Sequence, residues 1–254
     1  GANPHEKGVL YKSLLSDMVD YEQLHGSELT YNKMLGLNSG LDIVKSFDEP
    51  AVAIIKHINP CGVATADSIE EAYRKAFESD SLSSFGGLVC TNRTIDADTA
   101  KLISERFFDA IIAPDFDKEA LSILKKKKNI IVKTGKLLQS NDNLYFSKIS
   151  DGLLVGEQKN VDIKSTMKIV GKFQPTQDQL EELMFAWKVV GHLISNAVVI
   201  TKNKQTLGIG VGQTSRIDAV KIALDKAGDK VKGAVLASDG FFPFRDSVDV
   251  AAKY

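Results

Sequence analysis

The chain reads as an α/β protein, and three features of its 254 residues carry that reading. Short apolar runs rich in β-branched residues alternate with stretches whose apolar residues recur at helical spacing. The same alternation returns in the second half at an offset of about 146 residues, as two tandem subdomains related by internal duplication would show. A 43% hydrophobic content is enough to bury a sizeable core.

The elements follow in order. Residues 1–45 read as an N-terminal helical segment and 46–133 as the first subdomain. Within the latter, Ala51 to Ile55 (AVAII) has the composition of a buried strand. Ser68 to Phe77 is a helix with Ile69, Ala72, Tyr73 and Ala76 on one face and Asp67 or Ser68 as N-cap. Gly87 to Cys90 and Ala110 to Ala113 read as further strands, and Thr99 to Phe107 and Asp117 to Lys128 as helices. Residues 134–174 are polar and poorly periodic, a connector with extended hairpin pieces. In the second subdomain, 175–254, Pro175 and Thr176 open a helix with Asp178, Glu181 and Glu182 in its first turns. The segment from Asn196 then repeats the first subdomain: Val198 to Ile200 lies over Ala53 to Ile55, and Gly233 to Leu236 over Gly87 to Cys90.

Composition narrows the function. Lys and Arg number 32 against 33 Asp and Glu, so no global field favours nucleic acid or an anionic membrane. The longest apolar run falls short of the roughly 18 residues of a membrane span. The start, GANPHEKGVLY, has no signal-peptide core. Two cysteines, Cys61 and Cys90, make no disulfide framework, so a reducing cytoplasm is the expectation. The abrupt ends read as a piece of something longer.

The chemistry concentrates in IKHINPCGVA, Ile55 to Ala64. Lys56 and His57 follow the first strand, and ligands of open α/β sheets sit in the crevice beyond strand ends. Adjacent cations disfavour one another, which favours a neutral imidazole near pH 7. Such an imidazole can act as a base while the ammonium stabilises an oxyanion. A solvent-exposed lysine beside a structural histidine is the competing reading, and these residues alone leave both open.

Other motifs weigh less. GIGVG, Gly208 to Gly212, lacks the third glycine of a dinucleotide loop, so close backbone packing or a ligand's approach to main chain explains it better. Ser84-Phe85-Gly86-Gly87 suits either a flat ligand or a tight strand entry. SDGFFPFRD, Ser238 to Asp246, sets three phenylalanines in a loop, a pattern that favours binding. Lys125 to Lys128 reads as a solvated helix end. Pro60-Cys61 matches half of a zinc-deaminase signature, but the second cysteine position is Ala64 and no H-x-E occurs, so no metal site is expected.

Six stretches in order, IKHINPCGVA, SLSSFGGLV, DAIIAPDFDKEAL, AWKVVGHLISNAVVI, GIGVGQTSRIDA and SDGFFPFRD, closely resemble the transformylase portion of the bifunctional purine-biosynthesis enzymes that join AICAR transformylase to IMP cyclohydrolase. The resemblance covers essentially the whole chain and implies that the cyclohydrolase domain is absent from it. It implies formyl transfer from the cosubstrate 10-formyltetrahydrofolate to the 5-amino group of AICAR, giving FAICAR and tetrahydrofolate. It also implies a pair of cytidine-deaminase-like subdomains. By this likeness His57 takes the amine proton, Lys56 stabilises the oxyanion and assists the leaving N10, and Asn196 holds substrate. Gly86, Asp109 and Phe241 match positions that contact AICAR. Ile217 and Asp246 match positions lining the folate site, with Arg216 a weaker candidate. The family's active site lies at the interface of an intertwined homodimer. An arginine-tyrosine pair before Gly1 and the family pattern beyond Tyr254, with another phosphate-binding arginine, are missing. Gly191 and Gly240 stand where a cation and an alanine are frequent. The alternatives are a fragment that binds folate or nucleotide without turnover and, remotely, a nucleobase deaminase.

Overall fold

Alternation within single strands decides how the layers form. Along β2 (Ala51–Lys56), Ala51, Ala53 and Ile55 enter one apolar cluster while Val52 and Ile54 enter another. Successive strand side chains point to opposite faces, so a strand apolar at every position must be covered on both. The chain is seen in a computed structural model that describes residues 6–9, 21–135, 144–157 and 167–254. The expected reading of the first residues therefore lies largely outside the described ones.

Nine strands form one mixed sheet in the order β1-β6-β5-β4-β2-β3-β10-β9-β11. They are β1 (Glu22–His25), β2, β3 (Asn59–Thr65), β4 (Leu88–Thr91), β5 (Ala110–Ala113), β6 (Ile130–Lys133), β9 (Val198–Lys202), β10 (Gln205–Gly210) and β11 (Val235–Ser238). The remaining two, β7 (Leu144–Ile149) and β8 (Gly152–Glu157), pair as a separate antiparallel hairpin within the expected connector. Helices α1 (Tyr31–Lys45) and α5 (Gln177–Val190) cover one face. The other face carries α2 (Ile69–Ser79), α3 (Ala97–Ser104), α4 (Lys118–Leu124) and α6 (Arg216–Ala227). A short α7 (Asp246–Ala251) follows β11.

Two expectations need correction. The N-terminal segment is not wholly helical, because Glu22–His25 pairs antiparallel with β6 and closes one sheet edge. Four residues are too few for periodicity to register. Asn59–Thr65 is a strand where none was expected between Ile55 and the helix at Ser68, and Pro60 hid it. Register shifts between Ile54 and Ile55 opposite Pro60 and Gly62, so the proline sits at an irregularity, where its missing N–H is tolerated.

Two stretches share the order helix, strand, strand, helix, strand: α1-β2-β3-α2-β4 and α5-β9-β10-α6-β11. They meet at the antiparallel β3–β10 pair, so the strand order of one mirrors that of the other. Thr30 and Thr176 cap α1 and α5, and Ser68 and Ser215 cap α2 and α6, each accepting a bond from the first turn. A Cβ on Gly62 would lie 1.9 Å from the Ala76 carbonyl oxygen, and one on Gly208 the same distance from that of Ala223. Gly210 is similarly crowded, with the Ala219 oxygen at 2.1 Å, so Gly208 and Gly210 of GIGVG form a helix-packing surface. Gly62→Ala should therefore destabilise the fold by about 1–3 kcal/mol, seen as a lower urea midpoint.

Candidate active site

Strand directions determine which residues can meet. β2 is antiparallel to β3 and β4, β3 to β10, and β10 to β9. β11 opposes β9, while β5 and β6 run parallel to β4. The end of β2 is consequently the same sheet end as the starts of β4, β5 and β9 and the ends of β10 and β11. Lys56 closes β2, Gly86 precedes β4, Asp109 precedes β5, and Asn196 precedes β9. Arg216 and Ile217 open α6 after β10, while Phe241 and Asp246 follow β11. Every residue singled out from the sequence thus belongs to one end of one sheet.

Local packing shapes this end. His57 occupies a two-residue turn between β2 and β3 with φ of 60°, a left-handed conformation that disfavours side chains other than glycine, asparagine, aspartate and histidine. Helix α1 holds the turn from behind. A Cβ on Gly36 would lie 2.6 Å from the His57 carbonyl oxygen, and Ser39 Oγ donates to the Ile58 carbonyl at 2.8 Å. Lys56 Nζ donates to the Phe85 carbonyl at 3.0 Å, which anchors the ammonium beside the glycine turn. That turn uses its own amides. Gly86, at φ 69°, donates N–H to Phe107 O at 2.9 Å, and Gly87 donates to Ser84 O at 3.0 Å. Tight strand entry is therefore what SSFGG encodes, while Phe85 stays exposed with its ring 5.4 Å from that of Phe107. Lys33 of α1 pairs with Asp109 at 3.5 Å.

The second half contributes a braced loop. Asn196 Nδ2 donates to Gln213 O at 2.8 Å and to Thr214 O at 3.3 Å, tying the start of β9 to the approach of α6. Asp239 Oδ1 accepts from the Ala197 N–H at 2.8 Å and from Arg216 Nη1, and the Asp239 N–H donates to Ala197 O. Burial works to raise the Asp239 carboxyl, but the Ser195 hydroxyl, the Ala197 N–H and Arg216 outweigh it and hold the group below the usual carboxylate range. Arg216 is thus committed to the loop through Asp239 and Ser238. Beyond the brace, Phe241 and Phe244 stand 84% and 71% exposed, whereas Phe242 packs on the α6 cluster.

The comparisons with known proteins bear on this arrangement. Residues 1–226 match the family described as the AICARFT/IMPCHase bienzyme. The chain belongs to that family. It is 47% identical over 257 residues to the bifunctional purine biosynthesis protein PurH of Thermoanaerobacter sp. (strain X514), covering 100% of this chain and 50% of the relative. PurH of Persephonella marina is 46% identical, at 100% and 51% coverage, and PurH of Nostoc sp. (strain PCC 7120) 47% identical, at 99% and 51%. The chain spans about half the length of the curated relatives it matches.

Several contributors to this family member's site were not singled out from sequence. Lys33, Gly36 and Ser39 act on the named residues from α1, and nothing in the sequence linked them to the site. Gln213 and Asp239 lie inside the GIGVGQTSRIDA and SDGFFPFRD stretches, but their bracing of Asn196 and Arg216 was not expected. Ser39→Ala removes one hydrogen bond and should lower stability by about 0.5–1.5 kcal/mol, measured by urea unfolding. Gly191 is the C-cap of α5, not an interior position, so it does not soften the helix. A methyl on Gly240 would meet Arg216 Nη2 at 2.8 Å, so an alanine there requires the guanidinium to move. The Cys61 thiol is pushed up to about 11 by burial, and burial pushes Cys90 up as well. Among the described residues, no group of three or more His, Cys, Asp or Glu could hold a metal ion, and no helix is long and apolar enough to cross a membrane.

Proposed function

We propose that this chain transfers the formyl group of 10-formyltetrahydrofolate to the 5-amino group of AICAR, giving FAICAR and tetrahydrofolate. The observation that carries the reading is the convergence of Lys56, His57, Gly86, Asp109, Asn196, Phe241, Arg216, Ile217 and Asp246 on one sheet end, in a chain that matches PurH proteins along its length.

The amine of AICAR is conjugated with its ring and attacks poorly. As its nitrogen bonds to the formyl carbon, the His57 imidazole takes the proton lost from the amine. The carbonyl electrons move to oxygen, and the Lys56 ammonium stabilises that oxyanion. Collapse breaks the bond from carbon to N10, and N10 leaves with a proton relayed from this His57–Lys56 pair. Asn196, Gly86 and Asp109 orient the nucleotide, and Phe241 offers it a stacking face. Ile217 and Asp246 line the folate side, where Arg216 acts by fixing the loop.

The two helix-strand-strand-helix-strand stretches are read as duplicated cytidine-deaminase-like units. A second copy of the chain is read as covering the exposed apolar side chains around the site, including Leu82, Phe85 and Phe107, in an intertwined homodimer with shared active sites. Cytoplasmic residence suits the two buried free thiols.

The test is tetrahydrofolate production from AICAR and 10-formyltetrahydrofolate by this chain. Turnover supports the reading. A folded chain that binds either ligand without turnover identifies the non-catalytic fragment instead.

A further inference from the structure

The sheet end opposite His57 repeats the local architecture of the site. Lys202 Nζ donates to the Lys232 carbonyl at 2.8 Å, as Lys56 Nζ donates to that of Phe85 at 3.0 Å. Asn203 follows Lys202 in a left-handed turn at φ 55°, as His57 follows Lys56 at 60°. Gly233 at φ 74° stands where Gly86 stands at 69°. Helix α5 backs this turn as α1 backs the other, with Glu182 Oε2 accepting from Lys204 N–H at 2.8 Å.

Beside this turn lies a cleft of about 530 Å³, a volume within the range of small-molecule sites. Its lining includes the apolar side chains Phe47, Leu180, Met184 and Phe185. Lys188 and Lys204 supply cations, and Asp48, Glu49 and Glu181 supply acceptors, with Lys204 paired to Glu49 at 3.2 Å. Thr65, also in the lining, is only 1% exposed, and its hydroxyl has no hydrogen-bond partner. A buried hydroxyl without a partner is unfavourable in a finished core, and a polar ligand would supply one.

We propose that this cleft, beside the pseudo-two-fold counterpart of the His57 turn, is a second, non-catalytic binding site for a flat heterocycle carrying amino donors and an anionic group. The apolar walls take the ring, Asp48 and Glu181 accept from its amino groups, and Lys188 meets the anion together with Lys204, which exchanges its pair to Glu49 for it. Turnover is not expected there, because the adjoining turn carries Asn203 where the other carries His57, and among the described residues the lining holds no histidine. The proposal rests on the formyl-transfer reading for its choice of probe, AICAR, whose ring, amine and phosphate have this chemistry.

The experiment is calorimetric titration of the chain with AICAR, alongside the formyl-transfer assay. Two molecules per chain are expected, with one binding event removed by Met184→Arg, which fills the cleft, while formyl transfer is unchanged. Lys204→Gly suits the left-handed backbone and removes the ammonium of the anion contact together with its pair to Glu49. It should weaken the same event about tenfold. One molecule per chain with turnover intact would overturn the proposal, as would two that both substitutions leave unaltered. Loss of turnover together with the event sensitive to Phe241→Ala would instead count against the formyl-transfer reading, since the cleft event is scored by its own variants.

Discussion

His57→Asn is expected to lower kcat for formyl transfer by about 10²–10⁴-fold while the chain stays folded, the loss typical of removing a positioned proton acceptor. Asparagine is the informative replacement because His57 sits at φ 60°, where alanine would add backbone strain to the chemical loss. The turn at the far end already carries Asn203 at φ 55° in the corresponding place, so this backbone accommodates asparagine. The KM for AICAR should change far less than kcat, because the imidazole acts on the proton that leaves in the transition state. Tetrahydrofolate production measures the rate, and circular dichroism checks the fold. A variant that keeps wild-type kcat would remove His57 from the mechanism. Lys56 would then stand as an electrostatic group without a partner base.

Asp239→Ala should be the most destabilising single change at the site end, by about 3 kcal/mol, because it strands the Arg216 guanidinium. The two side chains are 12% and 14% exposed, so water replaces little of what the carboxylate supplies. The Ala197 N–H loses its acceptor in the same step. The pH dependence follows from the direction of the carboxyl shift. Asp239 titrates lower folded than unfolded, so its contribution is complete above the unfolded pKa near 4 and is lost as pH falls through the lower folded value. Urea unfolding at pH 7 and pH 3 should therefore separate wild type from Asp239→Asn at the higher pH and narrow that difference at the lower. Equal differences at both pH values would show that the carboxylate is not what braces this loop.

Parts of this protein were legible early because they are written locally. Ala51 to Ile55, Ala110 to Ala113 and the second-half strand at Val198 declare themselves as continuous apolar runs, since both faces of the sheet are covered. Ser68 and Thr176 mark helix starts by side chains that bond to N–H groups three residues on. Glu22–His25 and Asn59–Thr65 were not legible, the first for shortness and the second because a proline at an irregular register reads as a turn. The lysine and histidine of IKHINPCGVA stand out in the sequence because they are adjacent, and their resemblance to the transformylase motifs supplies the roles proposed for them.

By itself, the order of residues determined the strand and helix periods, the α/β class and the membership in the AICARFT/IMPCHase family, all of which depend on neighbours along the chain or on patterns that survive without coordinates. Only the tertiary structure decided that Arg216 is held by Asp239 rather than left free. It also decided that Gly36 and Ser39 stand behind His57, and that a second lysine turn faces the opposite way across the β3–β10 seam. The physical reason is that hydrogen bonds, ion pairs and close packing depend on distance in space. Asp239 lies 23 residues from Arg216, and Ser39 lies 19 from Ile58, separations across which no sequence period carries information.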